Sequence, residues 1–341
     1  MTPSPTNLLK CCYPTLLNPG QPVTVTPATP GFSGARVFRV EIEQSTFCVR
    51  QWPTGMPRER LQAIHGLLRH LGGHADVSIP IPIPSEDGGS FVAFEDHLWQ
   101  VEPWLPGEAD FDQQPTEARL TAAMTGLAKW HHLAAQYAPP HRDTDWLLPS
   151  HEDRSPTVSA RLRGLVQRRA DLNEAERQLM LEPDEQFRHF GQQLTIHFRR
   201  LADSIGRELQ QVESLSVRQH PCIRDLWHDH LLFCDDRLTG IIDFGAVKTD
   251  TVACDLSRLL GSLFGTDASA WQRALDAYEQ TRPLTTAEHQ LLGPLNRSGT
   301  LLSGMTWLQR RAENRISAEQ LPRVITRLEK IIGQLESLRG V

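Results

Sequence analysis

Between Pro221 and Leu260 the chain reads PCIRDLWHDHLLFCDDRLTGIIDFGAVKTDTVACDLSRLL, and three of its polar residues are spaced for chemistry. Asp225 lies in a short polar run, Arg224 to His230, ahead of an apolar run from Leu231 to Cys234. A polar turn follows at Asp235-Asp236-Arg237, and a second apolar run, Leu238 to Ile242, delivers Asp243. Two short apolar runs around a tight polar turn predict a β-hairpin. Such a hairpin brings Asp225, His230 and Asp243 to one end of a two-stranded unit, although they span eighteen sequence steps. Carboxylates gathered there can hold a divalent cation against phosphate oxygens, with one left free to orient a hydroxyl. The bland reading is a solvated hairpin with polar flanks. A third reading is a metal-dependent hydrolase centred on His228, Asp229, His230 and Asp243: in an extended segment His228 and His230 point to one side, with Asp243 as a third zinc ligand.

The elements that must position these residues can be read from periodicity. Residues 1–26 form a Pro- and Thr-rich irregular lead-in with one short helix at Asn7 to Tyr13. Gly31-Phe32-Ser33-Gly34 opens into a strand whose Val37, Phe38, Val40 and Ile42 alternate with polar residues, and Glu43-Gln44 turns it into a second strand, Ser45 to Val49, ending in Arg50. A Gly-containing loop there can bring backbone N–H groups over phosphates, although an ordinary turn is the default reading. Pro57 to Leu71 has helical periodicity. Alternate prolines in Ile79 to Pro84 exclude an interior strand and predict an extended edge. Strands are expected at Phe91 to Phe94 and His97 to Val101, the latter running into Glu102 and the phrase Trp104-Leu105-Pro106-Gly107.

From Thr116 onward the pattern becomes helical, with His131 and His132 read as core or cap residues. Residues 141–155 form a polar loop, and 157–214 read as three helices: Val158 to Ala170, Glu174 to Leu181 and Glu185 to Val212. Their arginine-rich faces, Arg161-Arg163 and Arg168-Arg169, read as solvated. A loop from Gly245 to Val252 precedes a helix begun or capped by Asp255. Three more helices follow, at 268–281, 286–309 with an interruption near Gly293-Pro294, and 317–338.

The hairpin stretch resembles the catalytic core of the aminoglycoside phosphotransferase and choline kinase-like family of small-molecule kinases, whose members share the protein-kinase-like fold. Asp225 falls on that family's catalytic aspartate and Asp243, in IIDFG, on its metal-binding aspartate; Asp250 and Asp255, in TDTVACDLSRL, fall on two later acids. The resemblance implies an α+β, bilobal fold, with a β-rich N-terminal lobe over 1–103 and a mostly helical lobe over 104–341. The latter would carry the catalytic hairpin at 223–245 and a substrate wall at 157–214. It further implies that ATP or another nucleoside triphosphate, with Mg²⁺, phosphorylates a hydroxyl of a small molecule. Gly31, Ser33 and Gly34 would cover the nucleotide, Arg50 would grip its phosphates, and Gln100, Val101 and Glu102 would form the hinge against the base. Asp225 would be catalytic, His230 and Asp243 metal ligands, and Asp250 and Asp255 structural supports. Two departures stand out: Ile223 replaces the family's histidine and His230 its metal-binding asparagine. The helix glutamate that usually pairs with the basic residue is also missing near Ile64, leaving Glu59 as a candidate. These changes keep open a nucleotide-binding protein without transfer activity.

Composition narrows the setting. Among 341 residues, 35 Lys and Arg face 41 Asp and Glu without charge blocks, which disfavours a nucleic-acid surface. No apolar stretch reaches the roughly 18 residues of a spanning helix, and the N-terminus lacks a secretory pattern. Six scattered cysteines fit a reduced, cytoplasmic chain rather than a disulfide framework or a metal motif.

Overall fold

A computed structural model of the chain describes residues 4–338, except 19, 30, 73–77 and 141–145. Parts of the lead-in and of the expected 141–155 loop therefore lie outside the described residues. The chain divides into two compact units: Met1–Pro149 with Asp229–Val247, and Ser150–His228 with Lys248–Val341.

The first unit begins with α1 (Pro5–Cys12) and a five-stranded sheet of β1 (Val23–Pro27), β2 (Arg36–Ile42), β3 (Ser45–Gln51), β4 (Val92–Phe94) and β5 (His97–Pro103). Strand order is β1-β2-β3-β5-β4, antiparallel throughout. Alternation along β2 turns Phe38, Val40 and Ile42 inward, while Arg39 and Glu41 pair outside at 2.9 Å. The inward set packs with Val49, Trp99 and Val101, with Leu8 and Leu9 from α1, and with Tyr13 just after it. Between β3 and β4 comes α2 (Arg58–Gly72), which buries Leu61, Ile64, Leu67, Leu68 and Leu71. The proline-alternating segment runs extended beside β5, where Ile83 N–H donates to the Val101 carbonyl at 2.7 Å. Strand β1 is an addition to the expected lead-in; its side chains are mostly exposed, so composition masks it.

After β5 comes α3 (Glu117–Ala134), capped by the Thr116 side chain. The same unit includes the expected hairpin, which is described below with the site. Gly107 explains one feature of the phrase that follows β5. Its φ is +110°, and a Cβ there would meet Thr239 Oγ1 at 2.4 Å and the Phe233 carbonyl at 2.9 Å. Only glycine lets the chain pass so close to the hairpin.

In the second unit β6 (His151–Arg154) and β7 (Ser216–Cys222) form an antiparallel pair that β10 (Lys248–Asp250) completes. Strands β6 and β10 replace expected loop, and β7 is an addition between the expected helices and the hairpin stretch. Strand β6 is wholly polar, and β7 buries Gln219 and His220, so neither shows apolar alternation; backbone pairing and Gln219 Nε2 donating to the Arg154 carbonyl at 2.8 Å satisfy them. The helical wall has two helices instead of three, α4 (Pro156–Met180) and α5 (Glu185–Val212). The expected break near Asp171 does not occur, because Val158, Leu165, Leu172 and Leu179 continue one buried stripe at heptad spacing through it. The remaining helices are α6 (Ala253–Phe264), α7 (Ala268–Glu279), α8 (Thr286–Ala312) and α9 (Leu321–Ser337). Helix α8 continues through Pro294 without the expected interruption. Among the described residues, no helix is long and apolar enough to cross a membrane.

Candidate functional site

The hairpin forms where the two apolar runs predict it, as β8 (Leu231–Cys234) and β9 (Arg237–Ile241), with Leu231 opposite Ile241. Ile242 N–H donates to the His230 carbonyl at 3.0 Å, which carries the ladder one step beyond the strands. Asp243 follows with φ +65°, a left-handed conformation that costs a non-glycine residue roughly 1–2 kcal/mol. Phe244 offsets it, buried and stacked on Trp130 with ring centroids 5.9 Å apart. The backbone twist aims the Asp243 carboxylate outward, 43% exposed, with Oδ2 3.8 Å from His230 Nε2.

Asp243 Oδ1 lies 3.4 Å from Arg50 Nη1, so the expected phosphate-gripping residue and the expected metal ligand are neighbours. The other terminal nitrogen of Arg50, Nη2, faces Glu102 Oε1 at 3.6 Å. Burial disfavours the Arg50 charge, but Glu102 and Asp243 outweigh it and hold the guanidinium firmly protonated. Burial raises the Glu102 carboxyl above the usual carboxylate range, against the pull of Arg50. The acid partner of Arg50 therefore comes from β5. Glu59, the candidate on α2, is exposed in that helix's first turn.

Glu102 is one end of a buried polar chain. Gln100 Nε2 donates to Glu102 Oε2 at 2.6 Å, and Gln100 Oε1 accepts from Trp52 Nε1 at 2.8 Å. His65 Nε2 sits 3.0 Å from the same Gln100 oxygen, and His65 Nδ1 2.9 Å from Ser90 Oγ. With Gln100 Oε1 accepting, His65 carries its proton on Nε2 and receives the Ser90 hydroxyl on Nδ1. Burial pushes His65 down to about 4, so it stays neutral. Gln100 and Glu102 thus contribute side chains here, while the Val101 carbonyl is taken by Ile83. Gly31, Ser33 and Gly34 lie in the β1–β2 loop; Gly34 adopts φ +80°, and Ala35 N–H approaches Ser33 Oγ at 3.4 Å.

The second unit holds Asp225, Asp250 and Asp255. Asp255, fully buried at the start of α6, accepts from the Ile223 and Arg224 backbone N–H groups at 2.7 and 2.6 Å. These bonds grip the chain just before Asp225, where Arg224 takes a left-handed φ of +75°. Asp250, also fully buried, accepts from Ser155 Oγ at 3.0 Å, Thr157 Oγ1 at 2.6 Å and Thr251 N–H at 2.9 Å, and pairs with Arg224. Two acids therefore brace the backbone that presents Asp225. The Asp225 carboxylate accepts from Trp227 Nε1 and Arg258 Nη2, both at 3.0 Å.

The zinc set does not fit this geometry. His228 to His230 form a 3₁₀ turn rather than an extended segment, and the His228 ring engages Ser262 Oγ through Nδ1 at 3.1 Å.

Sequence reasoning missed His65, Arg258 and the inward turn of Arg161. His65 adjoins the apolar stripe of α2 and could have been read as buried. Arg161 shares α4 with the stripe through Val158 and Leu165, three and four positions away, which separates it from the exposed face.

A model of the phosphotransferase enzyme family matches residues 24–292. Curated relatives include a homoserine kinase of Xanthobacter autotrophicus, 25% identical over 77% of this chain and 74% of the relative. A homoserine kinase of Rhodospirillum rubrum is 26% identical over 69% of this chain and 65% of its own length. Among solved structures, a spectinomycin phosphotransferase bound to ADP and spectinomycin superposes with TM-score 0.71 at 14% identity, covering 98% of this chain and 97% of the other. A microcompartment-associated aminopropanol kinase gives TM-score 0.61 at 15% identity, covering 92% of each. Both likenesses are of fold, and that fold is the bilobal protein-kinase-like one.

Proposed function

Since the chain belongs to the phosphotransferase enzyme family and transfers phosphoryl groups to small-molecule hydroxyls, we propose that Arg50, His230 and Asp243 serve the nucleotide and Asp225 serves the acceptor. The observation that carries this division is the contact of the Arg50 guanidinium with Asp243 at 3.4 Å, beside His230. A fixed cation next to an exposed carboxylate and an imidazole suits a phosphate chain and its metal ion together. The donor set fits a divalent ion: Asp243 offers a hard oxygen, and His230 a ring nitrogen where an amide oxygen would bind Mg²⁺ more readily. Bound there, Mg²⁺ would neutralise charge on the β- and γ-phosphates.

Arg50 binds phosphate oxygens and keeps Asp243 oriented, while Glu102 keeps Arg50 in place. Asp225 accepts a hydrogen bond from the acceptor hydroxyl and directs its oxygen in line with the γ-phosphorus. As the new O–P bond forms and the bond to the nucleoside diphosphate breaks, the hydroxyl proton passes to Asp225. The products are a phosphate monoester and a nucleoside diphosphate. ATP is the proposed donor. Homoserine, named by the curated relatives, is the first acceptor to try.

The test is ADP release from ATP and Mg²⁺ over a panel of small alcohols, for wild type and Asp225→Asn. The variant is expected to lose roughly 100-fold or more in kcat while binding ATP normally. Undiminished turnover in Asp225→Asn overturns the acceptor-side role.

A further inference from the structure

Within the second unit, α4, α6, α8, α9 and the Trp227–His228 segment enclose a cavity of about 60 Å³. Its wall carries four permanent or near-permanent cations, Arg161, Arg258, Arg327 and Lys330, and no carboxylate among the described lining residues. The guanidinium carbons of Arg258 and Arg327 stand 3.9 and 5.3 Å from the centroid of the Trp227 ring. Arg258 and Trp227 both donate to Asp225, so the cavity wall and the acceptor-side carboxylate are one hydrogen-bonded assembly.

Arg161 is the telling member. It reaches only neutral acceptors, the Leu295 carbonyl at 3.2 Å and Ser298 Oγ at 3.4 Å, and no described carboxylate pairs with it. Burial, reinforced by Arg258 and Arg224, pushes it down to about 10, although Cys254 opposes this. Room for its fork exists because α8 carries glycine at 299, where a Cβ would stand 2.5 Å from Arg161 Nη1. A guanidinium drawn from water without a counter-charge is costly, and proteins keep such groups where a ligand supplies the missing charge.

We infer that this cavity seats an anionic group, a carboxylate or a phosphate, on the non-reacting end of the acceptor, with Arg161 as its forked anchor. The inference rests on the reading of Asp225 as the acceptor-side residue. It sets this chain apart from a kinase of polycationic amino sugars, because the Arg161 guanidinium, held by neutral acceptors, repels an ammonium group at this wall. The planar fork accepts either oxyanion through two parallel N–H bonds, and Lys330 adds a point charge.

The test is calorimetric binding of four matched alcohols to the full chain: 4-hydroxybutanoate, 3-hydroxypropyl phosphate, 1,4-butanediol and 4-aminobutanol. At least one anionic member is expected to bind roughly tenfold or more tightly than the diol, as for a charged hydrogen-bonded group, with the amine weakest. The better anion identifies the headgroup. Arg161→Met is expected to abolish that preference while melting no lower than wild type, because it removes an unbalanced charge. Should that variant fail to fold, Lys330→Met is to weaken the anion severalfold and leave the diol unchanged. Equal binding of diol and anion, or an anion preference that survives in the folded Arg161→Met or, failing that, the Lys330→Met protein, overturns the inference. Because the readout is binding, absence of ADP release would count against the phosphotransfer roles alone.

Discussion

His65 offers a prediction whose size follows from the structure. The ring is 1% exposed, its two nitrogens are engaged by Gln100 and Ser90, and burial pushes it down to about 4 from its ordinary value of 6.5. In the unfolded chain it protonates near the ordinary value, so between these limits the unfolded state binds more protons. Stability is full above about 6.5, falls as pH drops toward about 4, and levels off below that. The shift corresponds to roughly 3 kcal/mol, a large part of the roughly 5–15 kcal/mol that holds a typical domain folded. Replacing the residue by His65→Gln removes the titration but keeps a donor for Gln100 and an acceptor for Ser90. Urea unfolding of both proteins at several pH values isolates the effect, since every other titrating group is common to both. The two stability curves should converge by roughly 3 kcal/mol as the medium is acidified. Parallel curves would refute the reasoning, for they would mean the ring titrates alike in both states.

Asp255→Asn leaves one of two buried backbone donors facing an amide N–H, so stability should fall by roughly 2–4 kcal/mol; thermal melts and faster hydrogen exchange at Ile223 and Arg224 are the checks. Glu102→Gln removes the buried acid that positions Arg50, and the KM for ATP should rise roughly tenfold with a smaller change in kcat, measured by steady-state kinetics. His230→Asn substitutes an amide oxygen for the proposed nitrogen ligand, and the Mg²⁺ concentration for half-maximal activity should fall roughly tenfold; an unchanged requirement would remove His230 from the proposed metal site.

Several elements were legible because their causes are local. Apolar runs flanking Asp235-Asp236-Arg237 specify the hairpin, and β2 declares itself through alternating Phe38, Val40 and Ile42. Spacing alone likewise placed His230 and Asp243 together at the hairpin's mouth. The strands β6, β7 and β10 were not legible, since they are polar or buried on both faces and gain their hydrogen bonds from partners far along the chain.

The amino-acid sequence by itself determined the hairpin and the alternating strand β2, because each is encoded within a few consecutive positions. Only the tertiary structure decided the acid partners of Arg50, the Gln100 and Ser90 partners of His65 and the neutral acceptors of Arg161. Those depend on contacts between residues tens to hundreds of positions apart, such as Arg50 with Asp243, and on how deeply packing removes each charge from water. Desolvation is a property of the packed protein, and no local pattern of residues contains it.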